Sequence, residues 1–378
     1  MHIGFISHEY PHTLVNSNAG IGSCTKNMAL GLLKEGQKVS VFVYGQDSTE
    51  TFKDQGVTIY KIAYKKHTIF SWFLYRKQLQ NYINTFIKAK KIDVIEAPDW
   101  TGITAFMNFL CPIVIRLHGS DTYFCHLESR KVKEKNKFFE KRALLGADKI
   151  VGVSAFVSEQ TKKLFNLKNN IETIHNTIDT QFFTPNHSSV KNNSILYFGT
   201  IIRKKGVLEL APVFNKLIAT NKDVELIFLG KDAIDIQIGK STLEIFKSAL
   251  NPKAIKKFKH ISFVPYKEVK KYISEAGIVL FPSFAEAFPM TWLEAMALEK
   301  RIVSSNIGWA KELMIDGETG FMVNPKNHKD FFDKVLFLLE NDAEGKAMAL
   351  KARERILTSF SQDNSTKENI EFYKSVAQ

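Results

Sequence analysis

Two glutamates eight positions apart, Glu286 and Glu294, are the most informative carboxylates in the chain. They lie in Phe281-Pro282-Ser283-Phe284-Ala285-Glu286-Ala287-Phe288-Pro289-Met290-Thr291-Trp292-Leu293-Glu294. The segment leaves an apolar run at Phe281, crosses a loop and is predicted to enter a helix near Thr291. The N–H groups of a helix start have no intrahelical partner and suit a diphosphate. Carboxylates beside them can accept hydrogen bonds from sugar and ribose hydroxyls. A structural reading stands next to this one. Thr291-x-x-Glu294 has the spacing of a capping box, and so does Ser283-x-x-Glu286, although no obvious helix follows Glu286.

Other motifs offer chemistry that their context opposes. His8-Glu9-Tyr10-Pro11-His12 matches the HExxH zinc pattern, which needs both histidines on one helix face. Pro11 opposes a helix interior, and the segment directly follows the first strand. Gly20-Ile21-Gly22 begins like a dinucleotide fingerprint, but Thr25 stands at the third glycine and the loop starts too long after the strand. Two readings of these glycines stay open: backbone approach to an anion at the following helix, or a plain turn. No Asp-x-Asp occurs, which disfavours holding a diphosphate through a carboxylate-bound metal. There is no Walker A loop, GxSxG elbow or zinc-finger spacing.

The elements that must position these residues follow from hydrophobic periodicity. Strands are predicted at His2–Ile6, Val39–Val43, Gly56–Ile62, Ile92–Glu96, Pro112–Leu117, Lys149–Val153 and Ile171–Ile174, with helices over Gly22–Glu35 and Phe70–Lys90. The polar stretch 184–193 reads as a linker. Alternation restarts with strands at Ser194–Phe198, Val224–Leu229, Ile261–Val264, Ile278–Phe281, Arg301–Ser305 and Phe321–Val323. Helices at about Ala343–Ser359 and Asn364–Val376 end the chain. Strands alternating with helices imply parallel α/β sheets. The 378 residues divide into an N-terminal domain at 1–185, a C-terminal domain at 194–360 and a final helix at 361–378. Ligands of such sheets bind beyond the carboxyl ends of the strands.

The 281–297 segment resembles the E-x7-E element of retaining GT-B glycosyltransferases of family 4, the group 1 type. The similarity continues through Arg301-Ile302-Val303-Ser304-Ser305, Gly308-Trp309-Ala310-Lys311-Glu312 and Asp316-Gly317-Glu318-Thr319-Gly320. Tyr197-Phe198-Gly199-Thr200-Ile201-Ile202-Arg203-Lys204-Lys205-Gly206 is similar to the family's phosphate loop. Gly20-Ile21-Gly22, Leu117-His118-Gly119 and Asn176-Thr177-Ile178-Asp179 fall where its first-domain elements would.

The resemblance implies a GT-B fold: two doubly wound Rossmann-like domains facing a cleft, with the C-terminal helix returning to the N-terminal domain. It implies transfer of a sugar, with retention, from a nucleotide-diphosphate donor to a glycan or lipid-linked acceptor hydroxyl, as in polysaccharide biosynthesis. Glu286 would bind hydroxyls of the transferred sugar and Glu294 the ribose. Amides around Phe288, Met290 and Thr291 would hold the diphosphate with Lys205, no metal or other cofactor being required. Gly20 would let the first-domain loop approach the phosphates, and His118 would reach the sugar. A hydrogen-bonded histidine at a strand end is the alternative for His118. Three departures stand out. Thr200 replaces the usual arginine, so that Arg203 takes over its charge or Lys205 acts alone. Pro289 and Ala287 occupy positions usually glycine.

Charge bounds the partners. The chain carries 52 Lys and Arg against 39 Asp and Glu, a net charge of +13. Nucleic acid, an anionic membrane and a phosphorylated small molecule are the classes this suggests. Residues 1–185 hold 24 Lys and Arg against 16 Asp and Glu, so the excess leans to the first domain. Clusters include Lys65-Lys66, Lys88-Lys90-Lys91 and Arg130 to Lys137. A lipid-linked acceptor at an anionic membrane suits that bias, and so does a solvated surface. No nucleic-acid motif accompanies the charge. Three unpaired-spacing cysteines, no signal-like N-terminus and no spanning apolar run point to the cytoplasm, with peripheral membrane contact as a further expectation. Sugar-nucleotide epimerisation on the same fold is the alternative activity.

Overall fold

The computed structural model describes residues 1–377 apart from Asn18, His67 and Asn221; Gln378, the last residue of the expected C-terminal helix, lies outside the described residues. The chain divides into one unit of Met1–Thr177 with Ser361–Gln378 and a second of Ile178–Phe360.

Among the described residues the first unit holds eight strands, of which the central ones are short apolar runs rich in Val and Ile and buried on both faces, as a parallel sheet covered by helices requires. The eight are β1 (His2–Ser7), β2 (Lys38–Gln46), β3 (Glu50–Asp54), β4 (Val57–Ala63), β5 (Val94–Pro98), β6 (Ile113–Leu117), β7 (Lys149–Gly152) and β8 (Glu172–Thr173). The order is β3-β4-β2-β1-β5-β6-β7-β8, and β1 pairs in parallel with β2 and β5 (Ile3 opposite Val39 and Val94). The strand order therefore reverses at β1 and β5, where such a sheet opens a crevice. The periodicity reading missed β3. Its residues Glu-Thr-Phe-Lys-Asp are mostly polar because β3 is an antiparallel edge strand. Charge on such an edge opposes further strand pairing. Gln55 and Gly56, both at positive φ, close its hairpin onto β4.

The last helix, Gln362–Ala377, belongs to the first unit and packs on the helix Gly20–Lys34. The approach is close: a Cβ at Gly31 would lie 2.4 Å from Thr366 Oγ1. A buried ionic cluster anchors it. Arg116 of β6 meets Glu96 of β5 through Nε at 2.8 Å and Nη2 at 2.9 Å. Arg116 Nη2 also donates to Asn369 Oδ1 at 2.6 Å, and Tyr373 donates to Glu96 Oε2 at 2.7 Å. All four side chains are buried. Both charges thus have fixed partners, the condition under which a buried pair is tolerated.

In the second unit, β9 (Lys191–Phe198), β10 (Glu225–Leu229), β11 (Phe258–Ile261), β12 (Ala276–Phe281), β13 (Arg301–Ser305) and β14 (Phe321–Val323) form a parallel sheet, ordered β11-β10-β9-β12-β13-β14. Its reversal lies between β9 and β12, and Ile195, Leu226, Ile278, Val303, Phe214 and Val335 are among its core. Two sequence expectations need correction. The third strand is at Phe258–Ile261 rather than Ile261–Val264, because Phe258 packs its ring on Phe228 and Phe246, each at 5.1 Å. The boundary between units falls at Thr177/Ile178, ahead of the polar 184–193 stretch. Ile178 N–H donates to the Phe360 carbonyl and Phe183 is buried, while Lys191–Asn193 already belong to β9.

Removing the Tyr373 hydroxyl tests the anchor. Tyr373→Phe takes a donor from a buried carboxylate, and urea unfolding should show a loss of about 1.5–3 kcal/mol.

Candidate functional site

The reversal point of the second sheet brings together two loops that are far apart in sequence. After β9 the chain makes a 3-10 turn at Arg203–Lys205 and reaches Gly206 at φ +70°. A Cβ there would sit 1.9 Å from the Pro282 carbonyl oxygen, so glycine is required for the approach. The Lys204 carbonyl accepts the N–H groups of Phe284 and Ala285 at 2.8 and 3.3 Å. With the backbones clasped, Lys205 Nζ meets Glu286 Oε1 at 2.5 Å and Ser283 Oγ donates to the same oxygen at 2.9 Å. Glu286 is buried and Lys205 half-buried. A pair this sheltered from water interacts far more strongly than a surface pair.

The loop then leads into the helix Met290–Ala297. Pro289 sits at its N-cap with φ −76° and makes no side-chain cap. Its fixed φ suits the entry to a helix. Thr291 is therefore inside the first turn, and neither capping box is formed. Ser283 and Glu286 bond to each other, while Glu294 accepts from Tyr266 OH at 3.0 Å. No acidic residue stands in the first turn, so no carboxylate there answers the partial positive charge of the helix start. Phe288 packs its ring on Phe360 at 5.5 Å. Glu294 is buried and its carboxyl is pushed up to about 7 by desolvation, against the opposing effect of the Tyr266 hydrogen bond.

Arg203 turns elsewhere. Its Nε lies 2.6 Å from Asp235 Oδ2. Burial works to raise the Asp235 carboxyl, but Arg203 and the amides of Ile238 and Gln237 hold it below its ordinary value. Lys205 meets Glu286, whereas Arg203 fastens the loop after β10.

The remaining predicted residues belong to the first unit. His118 follows β6 by one residue, and its backbone N–H donates to Asp99 Oδ1 at 2.9 Å. Desolvation and then the Arg116 guanidinium push its imidazole down to about 3, leaving it neutral near pH 7. Gly20 opens the helix Gly20–Lys34, and a Cβ on it would meet nothing within 4 Å, so the fold itself does not require glycine there. Gly22 differs, since its Cβ would press on Glu9 at 3.0 Å. Residues 8–12 are irregular, and Glu9 holds the Gly22 N–H at 3.0 Å, so His8 and His12 do not share a helix face. Among the described residues no cluster of three His, Cys, Asp or Glu could hold a metal.

Sequence reasoning missed two contacts across long separations, Tyr266 as the donor to Glu294 and Asp235 as the anchor of Arg203, and one local contact, Ser283 as a donor to Glu286. Only the Ser283-x-x-Glu286 spacing carried a signal, and it suggested a cap.

Two outcomes follow from the electrostatics. Lys205→Met removes the cation from the Glu286 carboxylate, which should cost about 1.5–3 kcal/mol in urea unfolding, and adding Glu286→Gln should recover part of it. Glu294 holds its proton more tightly folded than at its ordinary 4.5, so its contribution favours folding at low pH and is lost as pH rises through about 7. Glu294→Gln removes that loss. Its melting temperature should gain on the wild type between pH 5 and pH 8, by on the order of 3 kcal/mol in stability.

Comparison with known proteins places these features in a family. The family described as Glycosyltransferase Family 4 matches residues 19–182, and that described as Glycosyl transferases group 1 matches residues 179–355. An uncharacterized glycosyltransferase of Methanocaldococcus jannaschii is 24% identical over 99% of this chain and 98% of its own. The solved sucrose-phosphate synthase of Thermosynechococcus elongatus superposes with a TM-score of 0.83 at 16% identity, covering 99% of this chain and 98% of that one. Anabaena HepE, solved with UDP-glucose, gives a TM-score of 0.75 at 16% identity over 99% of this chain and 100% of that one. Two consecutive family matches spanning both units, on two parallel sheets of the GT-B kind, establish that this chain belongs to the glycosyltransferases of the group 1, family 4 type.

Proposed function

We propose that the protein transfers a sugar, with retention and without a metal, from a nucleotide-diphosphate donor to a hydroxyl of a glycan or lipid-linked acceptor. The observation that carries this reading is the Lys205–Glu286 pair, set beside a helix start that no side chain caps. In such a site the anomeric carbon loses its bond to the diphosphate oxygen and gains one to the acceptor oxygen. The acceptor proton passes to the departing diphosphate, whose attack-side oxygen lies on the same face of the sugar. The difficulty of the step is the negative charge that gathers on the leaving group, and fixed donors lower it.

Lys205 and the first-turn amides of Met290 and Thr291 supply that stabilisation, with the backbone at Phe288 beside them. Glu286 orients sugar hydroxyls, and Glu294 accepts from the ribose. Arg203 contributes by fixing the adjoining loop. A neutral His118 gives or takes a hydrogen bond from the sugar without adding charge, and Gly20 leaves room for phosphate oxygens; both roles belong to the same proposal. HepE's binding of UDP-glucose supports starting with uridine nucleotides. The first-unit charge bias supports an acceptor met at the cytoplasmic face of a membrane. Among the described residues no helix is long and apolar enough to cross one.

A thermal-shift screen with UDP-, GDP- and ADP-sugars identifies the donor, because a ligand bound by the folded state raises the melting temperature by mass action. With that donor, Glu286→Ala should lower transfer by about 10²-fold or more while keeping a cooperative melt. Transfer should persist in a chelator. Wild-type turnover in the Glu286 variant would defeat the assignment.

A further inference from the structure

We propose that the first unit docks on an anionic lipid surface through one aromatic and basic face. That face is built from residues 64–66 and 68–77, the ring of Phe106 and the segment 131–142. The inference deepens the transferase reading by naming where a lipid-linked acceptor would be met. Its test measures lipid binding alone, so the two can fail separately.

The loop after β4 carries Ile69 and Phe70 to the surface, 67% and 69% exposed, and Phe70 holds a left-handed backbone at φ +48°. The helix Ser71–Lys90 starts there, with Leu74 also exposed. Behind these residues the face is continuous. Trp72 packs on Phe139 at 4.9 Å and on Phe106 at 6.0 Å, and Phe106 reaches Phe138 at 6.0 Å. Phe138 is itself 52% exposed on the helix Glu134–Leu145. Exposed apolar side chains therefore flank a packed aromatic cluster.

Cations are interleaved with these rings. Arg142 lies over Phe106 at 5.1 Å, Lys77 over Phe73 at 5.7 Å and Lys135 over Phe139 at 6.0 Å. Lys65, Lys66, Lys131, Lys133 and Lys141 are exposed, and among the described residues none of them pairs with a carboxylate. Residues 131–142 contain six Lys and Arg against two glutamates. One of the two, Glu140, is buried and engaged by Thr122 and Asp121, so it does not offset the surface charge.

The pattern selects among occupants. Exposed aromatic and aliphatic tips gain by entering the interface of a bilayer, and surrounding lysines gain from anionic headgroups. A second copy of the same face would bring like charges together, which opposes a symmetric dimer. Nucleic acid answers the lysines but offers nothing to Ile69, Leu74 and Phe138. An anionic bilayer satisfies both halves of the face.

Sedimentation of the full chain with phosphatidylcholine vesicles, with and without phosphatidylglycerol, tests this. Binding should need phosphatidylglycerol and weaken in high salt. Phe70→Ser with Phe138→Ser, and separately Lys131→Glu with Lys133→Glu, should each weaken it about tenfold, because apolar insertion and charge both contribute. Both pairs are exposed, so their melting temperatures and donor-induced shifts should match the wild type. Absence of vesicle binding, binding untouched by either pair, or equal binding to neutral vesicles would overturn the proposal. So would self-association without lipid that the aromatic pair abolishes, or duplex DNA bound as tightly as the anionic vesicles at the same salt.

Discussion

A lysine and a glutamate 81 positions apart meet at 2.5 Å, and the chemistry proposed for the second unit depends on that contact. In so sheltered a place each charge gains from the other, and the backbone beneath them must be shaped to allow the contact. Gly206 provides the shape, since only a residue without Cβ can rest on the Pro282 carbonyl. The Lys204 carbonyl then takes two amides of the opposite loop. A sheet whose strand order reverses between β9 and β12 delivers both loops to the same end. Topology, backbone contact and ion pair form one chain of causes.

The first unit solves a similar problem for a different purpose. Its buried pair, Arg116 with Glu96, is closed by Asn369 and Tyr373 from the last helix. The helix is thereby tied to the strand that ends one residue before His118. The same guanidinium helps keep the His118 ring neutral. Structural anchoring and the protonation state of a candidate sugar contact thus share one residue.

Much of this was legible in the sequence, and the limits have physical causes. Buried strands such as His2–Ser7 and Ala276–Phe281 announce themselves as short apolar runs, because a covered parallel sheet needs them. The polar edge strand Glu50–Asp54 does not, since half-exposed edges carry no such run. The glutamate pair was visible through local motif spacing, and Lys205 through the resemblance of its loop to the family's phosphate loop. Tyr266 and Asp235 were not, because contacts made by folding leave no fixed offset along the chain. The capping boxes were misread for the same reason: the spacing was right, but tertiary partners claimed both carboxylates. The linker reading of 184–193 failed where a polar sequence was recruited to begin β9.

Binding of the nucleotide and of its sugar can be separated, and this bears most directly on the role assigned to Glu286. Calorimetric titration with UDP and with UDP-glucose, on the wild type and on Glu286→Ala, isolates what the sugar adds. The account predicts that the wild type binds UDP-glucose more tightly than UDP, by about tenfold, as hydrogen bonds to a carboxylate would give. In Glu286→Ala that difference should vanish while UDP affinity stays close to wild type. A variant that keeps the full preference for UDP-glucose would contradict it.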